Sequence, residues 1–227
     1  MDFEEMTVST TGFAETLRQS CITDWNACVQ HRFVDEIFAG TLDDAVLRRY
    51  LVQDYQFINR FVALLGAAIA SADVFAPRVT LSQFAAMITS DENTYFLRSF
   101  DTLGVPESER LTPPLTPQTQ AFQQLMHEAA QSLSYANCIA VLAVAEGLYL
   151  DWADQPAKQV LPLPARFEHA EWITLHANDF FRGFVAWLRS ELDRVEPQLS
   201  ADARAEAAQY FQRAVALERQ FFDHIYA

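Results

Sequence analysis

The sequence predicts an all-α fold: a single domain, residues 1–227, built as a bundle of about seven helices. Three observations carry this. Apolar residues recur at helical spacing along nearly the whole chain, and no period-2 run marks a strand. With 51% hydrophobic residues over 227 positions, the chain can fill a sizeable core. No internal repeat, low-complexity tract or composition break divides it, so the helices are expected to share that core.

Residues 11–38 read as one helix, with Trp25, Val29, Phe33 and Ile37 on one stripe and Gly40-Thr41 closing it. Thr41 or Asp43 caps the next helix, long and Ala-rich, over about residues 43–71. Pro77 stops the linker that follows, and residues 80–103 form a third helix ending at Gly104. Residues 106–117 are a loop with Pro113-Pro114 inside it. Residues 118–132 and 135–153 form the middle helices, and prolines 156, 162 and 164 mark a second loop. Residues 166–195 and 200–225 are two closing helices split at Pro197.

Charge and composition exclude several functions. Sixteen basic against 30 acidic residues give a net charge of −14, and the longest basic cluster is Arg48-Arg49. Polyanions are repelled at long range, so no nucleic-acid partner is expected. The 6 glycines form no GxG or GxxxxGK phosphate loop. Lys158, the single lysine, lies in a Pro-rich stretch and is a poor Schiff-base candidate. The acidic start, Met1-Asp2-Phe3-Glu4-Glu5, is unlike a secretory signal, and the longest low-polarity stretch, residues 61–72, is too short to span a bilayer. Three cysteines, Cys21, Cys28 and Cys138, with no CxxC fit neither a disulfide framework nor a zinc knuckle. A reduced, soluble, cytoplasmic protein with no membrane partner is expected.

The most informative feature is three acids standing where core residues belong. Asp54 falls on the stripe of Leu47, Tyr50, Leu51, Phe57, Ile58 and Phe61. Glu146 falls among Ile139, Leu142, Ala143, Tyr149, Leu150 and Ala153, and Glu218 among Phe211, Val215, Phe221, Phe222 and Ile225. A carboxylate buried without a partner costs several kcal/mol or more, so each acid must be paired, protonated or lining a cavity. Pairing with an arginine is the plain alternative for any one of them. Three acids on three helices, each beside aromatics, favour a shared polar pocket suited to proton transfer.

Other constellations are weaker. None of the five histidines (31, 127, 169, 176 and 224) has a Glu three residues before it, so the Glu-x-x-His pattern of di-metal bundles is missing and no metal is expected. Tyr50, Phe57, Phe61, Phe122, Tyr149, Trp152, Trp172 and Phe222 recur near the acids; as plain core they need no ligand, and beside buried acids they would suit a flat heterocycle. His176, one turn beyond Trp172, reads by itself as a satisfied core histidine. The cysteines read as small inert hydrophobes.

These residues carry a resemblance. Trp25 with His31-Arg32-Phe33-Val34, Gly40-Thr41-Leu42 and Tyr50-Leu51-Val52-Gln53-Asp54-Tyr55 is similar to the opening of the TenA/THI-4 (thiaminase II) family. Ala145-Glu146-Gly147-Leu148-Tyr149-Leu150-Asp151-Trp152-Ala153 resembles its middle, Glu171-Trp172-Ile173-Thr174-Leu175-His176 its late region, and Leu217-Glu218-Arg219-Gln220-Phe221-Phe222-Asp223 its end. The resemblance implies a heme-oxygenase-like helical fold and hydrolysis at an aminopyrimidine in thiamin salvage, without a cofactor, in a protein that forms dimers or tetramers. Most of the family carries a nucleophilic cysteine four residues before the tyrosine that is Tyr149 here, and this chain has Ala145 there. That departure points to the cysteine-less TenA-E branch, in which a nearby glutamate serves. Glu146 is the candidate, although about 100° of helix separates it from position 145.

By resemblance, Asp54 binds the pyrimidine's amino group and ring nitrogen. Tyr149 and His176 orient the ring or the water, and Phe57, Phe122 and Trp172 stack. Glu146 and Glu218 are the catalytic pair, one activating water and the other protonating the departing nitrogen. The substrate expected is 4-amino-5-aminomethyl-2-methylpyrimidine, with removal of an N-formyl group as a companion activity. The rivals are a transcriptional regulator, disfavoured by the charge, an oxygenase of the same fold with His31 as heme ligand, and a pyrimidine-binding protein without catalysis.

Overall fold

The computed structural model of the protein describes residues 11–227, and every regular element among them is helical. In order these are α1 (Phe13–Ser20), α2 (Ile22–Val29), α3 (Arg32–Ala39), α4 (Asp44–Ser71), α5 (Phe75–Met87), α6 (Asn93–Thr102), α7 (Glu107–Leu111), α8 (Pro117–Gln131), α9 (Tyr135–Ala153), α10 (Pro156–Gln159), α11 (Phe167–Leu175), α12 (Asp179–Val195) and α13 (Ala201–His224). The all-α expectation holds. The start Met1-Asp2-Phe3-Glu4-Glu5 lies outside the described residues.

α9 is the axis of the bundle, packed by α2, α4, α8, α12 and α13. Its residues are apolar on nearly every face, as an enclosed helix requires. At 19 residues and mean hydropathy 1.3 it is long and apolar enough to cross a membrane, but 89% of that window is already buried by neighbouring helices. It is a core helix.

The structure divides what periodicity runs together. The segment expected as one helix, 11–38, is three, broken at Cys21 and again at Gln30-His31. His31 turns extended, and its Nδ1 accepts the Phe33 amide at 3.2 Å, starting α3 afresh. Residues 166–195 are likewise two helices, because the Asn178 side chain accepts the Phe181 amide at 2.9 Å and caps α12. Pro77 does not end the linker; it sits in the first turn of α5, where an amide would have no helical partner anyway. The two expected loops each contain a short helix, α7 and α10.

The largest departure lies in residues 80–103. Between α5 and α6 the chain makes a π-turn, Ile88–Glu92, so the helix continues with one residue too many. This is the device that shapes the site.

Gly40 closes α3 at φ +67°, and the Thr41 amide returns to the Glu36 carbonyl at 2.9 Å. A side chain there is strained, and an added Cβ would also press on Pro164 at 3.4 Å. Gly40→Ala is therefore expected to cost about 1–2 kcal/mol, read as a lower urea midpoint at unchanged m-value.

Candidate active site

Four carboxyls stand at the centre of the bundle: Asp54 on α4, Glu146 on α9, Glu218 on α13, and Glu92 at the end of the π-turn. Each is at most 8% exposed, and among the described residues none of the four makes a hydrogen bond or ion pair. Elsewhere the chain pairs its buried acids. Glu168 meets Arg166 at 3.3 Å, and Glu191 takes both Arg194 at 2.8 Å and the Tyr135 hydroxyl at 2.7 Å. The plain alternative of arginine pairing thus describes Glu168 and Glu191, and fails for Asp54, Glu146 and Glu218.

The four acids line two adjoining cavities. One, of about 10 Å³, is bounded by Asp54, Phe57, Thr119, Phe122, Tyr149, Glu218 and Phe221. The other, of about 30 Å³, is bounded by Asp54, Phe57, Glu92, Ala145, Glu146, Tyr149, Trp172 and His176, backed by Ile58, Phe61 and Ile88. Asp54, Phe57 and Tyr149 belong to both. The residues given site roles from sequence line one cavity or the other: Asp54, Phe57, Phe122, Glu146, Tyr149, Trp172, His176 and Glu218; of the other aromatics named there, Phe61 backs the second, and Tyr50, Trp152 and Phe222 line neither. Glu146 and Glu218 face different chambers across the shared wall, so where the sequence suggests one shared polar pocket the structure has two adjoining ones. Such volumes admit single waters. A ring enters by displacing side chains, and Phe57 and Ile58 are the partly buried ones.

Aromatic contacts build the walls. Phe57 meets Phe122 edge-on at 4.9 Å, and Trp172 stacks on Tyr95 at 4.9 Å while its edge contacts His176 at 4.4 Å. Gln53, beside Asp54, accepts from Thr119 at 2.8 Å and from the Thr116 amide at 3.0 Å, fixing the start of α8 and therefore Phe122 against α4. A larger cavity of about 400 Å³ lies outward between α4, the loop before α8 and the end of α13, with Phe221 as the common wall. Its arginines are engaged: Arg48 pairs with Glu109 at 2.7 Å, and Arg49 donates to the Ile225 carbonyl at 2.8 Å.

Burial sets the protonation of the inner groups. It raises Asp54 well above the carboxylate range, with a further push from Glu92. It raises Glu146 likewise, helped by the charges of Glu92, Glu218 and Asp54, and Glu218, helped by Asp54. Glu92 is raised by burial alone, to about 8. Tyr50 and Tyr149, joined hydroxyl to hydroxyl at 2.6 Å, are held protonated by burial. His176 is pushed down to about 4 by burial and is neutral at pH 7. Its Nδ1 lies 2.8 Å from the Trp172 carbonyl, which can only accept, so Nδ1 carries the proton and Nε2 is a bare acceptor. No imidazole titration of His176 between pH 5 and 8 is expected by ¹⁵N NMR.

Sequence reasoning missed Glu92, Thr119 and Phe221. Glu92 had a signal, since Ile88, Tyr95 and Phe96 stand four, three and four residues from it, but the polar run Thr89-Ser90-Asp91-Glu92-Asn93 reads as a surface. Among the described residues no group of three or more potential ligands can hold a metal ion. His31 is not a pocket ligand: its Nε2 faces Asp223 at 3.4 Å near the surface. No cysteine lines either inner cavity, and burial pushes the Cys138 thiol up to about 11 and Cys28 higher still.

The TENA/THI-4/PQQC family model matches residues 19–227. A Halalkalibacterium halodurans protein named aminopyrimidine aminohydrolase is 25% identical over 219 residues, 94% of this chain and 95% of that one. A Bacillus subtilis protein of the same name is 25% identical over 217 residues, 94% and 89% of the two chains. The solved TenA homologue from P. horikoshii superposes with a TM-score of 0.82, covering 95% of this chain and 99% of its own at 16% identity. A match that runs through all the helices bearing the inner acids shows the kinship plainly: this chain belongs to the TENA/THI-4/PQQC family.

Proposed function

We propose that this protein is a hydrolase acting on C–N bonds in thiamin salvage, an aminopyrimidine aminohydrolase that works without a cysteine nucleophile. The observation that carries the reading is a set of buried, unpartnered carboxyls beside Ala145, in aromatic-walled cavities. The substrate is 4-amino-5-aminomethyl-2-methylpyrimidine, and water replaces its exocyclic amine to give the hydroxymethyl pyrimidine and ammonia. The N-formyl form is a companion substrate.

A neutral carboxyl matches an aminopyrimidine edge with two hydrogen bonds, its O–H to a ring nitrogen and its carbonyl oxygen to the amino group. Asp54, held protonated by burial, supplies that pair from the wall common to both cavities. His176 offers the bare Nε2 acceptor, and Phe57, Phe122 and Trp172 bracket the ring. Glu146 and Glu218 handle protons. Burial raises both and so favours their protonated forms, which suits a group that must donate to a departing nitrogen.

Ammonia release from the aminopyrimidine by the purified protein tests the reading. Turnover with stoichiometric hydroxymethyl pyrimidine supports it. Saturable binding without product would leave a pyrimidine-binding protein and defeat it. The same reading makes the protein a cytoplasmic dimer or tetramer, and a monomer by light scattering would remove that part.

A further inference from the structure

The catalytic pair read from the sequence leaves a gap. Glu218 does not line the chamber that holds Ala145, so a water there needs a base from that chamber's own walls. We infer that Glu92 is the catalytic base of the hydrolysis, presented by the π-turn to the cavity that Ala145 and Glu146 share. This rests on the proposed aminohydrolase reading and deepens it by naming the group that stands in for the absent thiol.

Three observations converge. Glu92 lines the same small cavity as Ala145, Glu146, Tyr149 and His176, which is where the family's cysteine would sit. Glu92 is 8% exposed, and its carboxyl has no hydrogen-bond or ion-pair partner among the described residues. It is delivered by the π-turn, an irregularity the flanking helices α5 and α6 do without. The electrostatics agree. Burial is the main cause that raises Asp54 and Glu146, with the charge on Glu92 a further push on each, while burial alone raises Glu92. The other titratable groups facing it are Asp54 from α4, Glu146 and Tyr149 from α9, and His176 at the end of α11; Asp91 on its own turn is exposed.

The step balances without a co-reactant. A water in the cavity gives a proton to the Glu92 carboxylate as its oxygen bonds to the exocyclic methylene carbon. The carbon–nitrogen bond breaks with its pair going to nitrogen, and the Glu218 carboxyl gives nitrogen the proton that completes ammonia. Proton return from Glu92 to Glu218 resets the site.

The test is Glu92→Gln, assayed for ammonia release across pH 6–9. Wild type is expected to show kcat/KM rising with pH through about 8. Glu92→Gln is expected to fall at least about 100-fold and to lose that rise. Glu92→Asp, which keeps a shorter carboxylate, is expected to be slowed yet to retain the rise. A Glu92→Gln rate within threefold of wild type overturns the assignment, as does a slowed variant with the pH rise intact. Should Glu92→Gln not fold, a flat profile in Glu92→Asp overturns it. An inactive wild type would instead sink the aminohydrolase reading, whereas an active wild type with an unmoved Glu92→Gln sinks only the base.

Discussion

Glu218→Gln is expected to lower kcat for ammonia release by about 10²- to 10⁴-fold with little change in KM. The amide matches the carboxyl in shape, so Phe221 and Tyr149 keep their places around it, but it has no acidic proton to give. Nothing nearby can substitute. Asp54, the other acid of that cavity, is committed to the pyrimidine edge in the proposed complex, and the hydroxyls of Tyr50 and Tyr149 are held far from ionisation. Glu146→Gln should lose activity by a similar order, because Glu146 bounds the chamber where the water is activated. Steady-state kinetics on both variants, with circular dichroism to confirm folding, decide the matter. Wild-type rates in both would dismiss these residues from the chemistry.

The second large effect is on stability. An acid whose folded pKa is raised keeps its proton in the native state while the unfolded chain has already lost it. Its contribution is therefore intact below the unfolded value and lost as pH climbs toward the folded one. For Glu92 that window runs from its ordinary 4.5 up to about 8. Asp54, Glu146 and Glu218 shift in the same direction. Unfolding free energy should thus fall between pH 5 and 8, each such group contributing up to about 1.4 kcal/mol per pH unit while it is protonated only in the native state. Urea titrations at several pH values read this directly. A flat or rising profile over that range would mean the acids are ionised and compensated in the folded protein. Substituting amides for them should raise stability at pH 8 while activity is lost, the trade expected where polar groups are held unpaired for function.

Much of the site was legible because a helix repeats every 3.6 residues. Asp54, Glu146 and Glu218 each interrupt a stripe of large apolar side chains, and nothing but the spacing is needed to turn them inward. The aromatics Phe57, Phe122, Tyr149 and Trp172 follow by the same count. What the pattern does not hold is the places where a side chain takes over from the backbone. His31 and Asn178 end one helix and begin another through a single hydrogen bond each, and the apolar rhythm runs on across both breaks. Glu92 was hidden for a related reason. Its neighbours Thr89, Ser90 and Asp91 are exposed, and the extra residue of the π-turn puts the count out of step there. Division into two chambers is likewise a matter of how Asp54, Phe57 and Tyr149 interlock, which spacing along one helix cannot convey.

The π-turn has an evolutionary reading as well. Removing one residue from a regular helix swings everything beyond it by about 100°, whereas removing the extra residue of a π-turn restores regular winding and leaves the flanking helices in place. A single-codon deletion in 88–92 would therefore aim a different side chain at the interior, leaving α5 and the start of α6 free to keep their packing with small adjustments. Lineages could gain or retire an inward acid through one indel rather than through compensating changes in several helices. Aligned relatives that keep a residue like Glu92 should keep the insertion with it, and those that lack the one should lack the other.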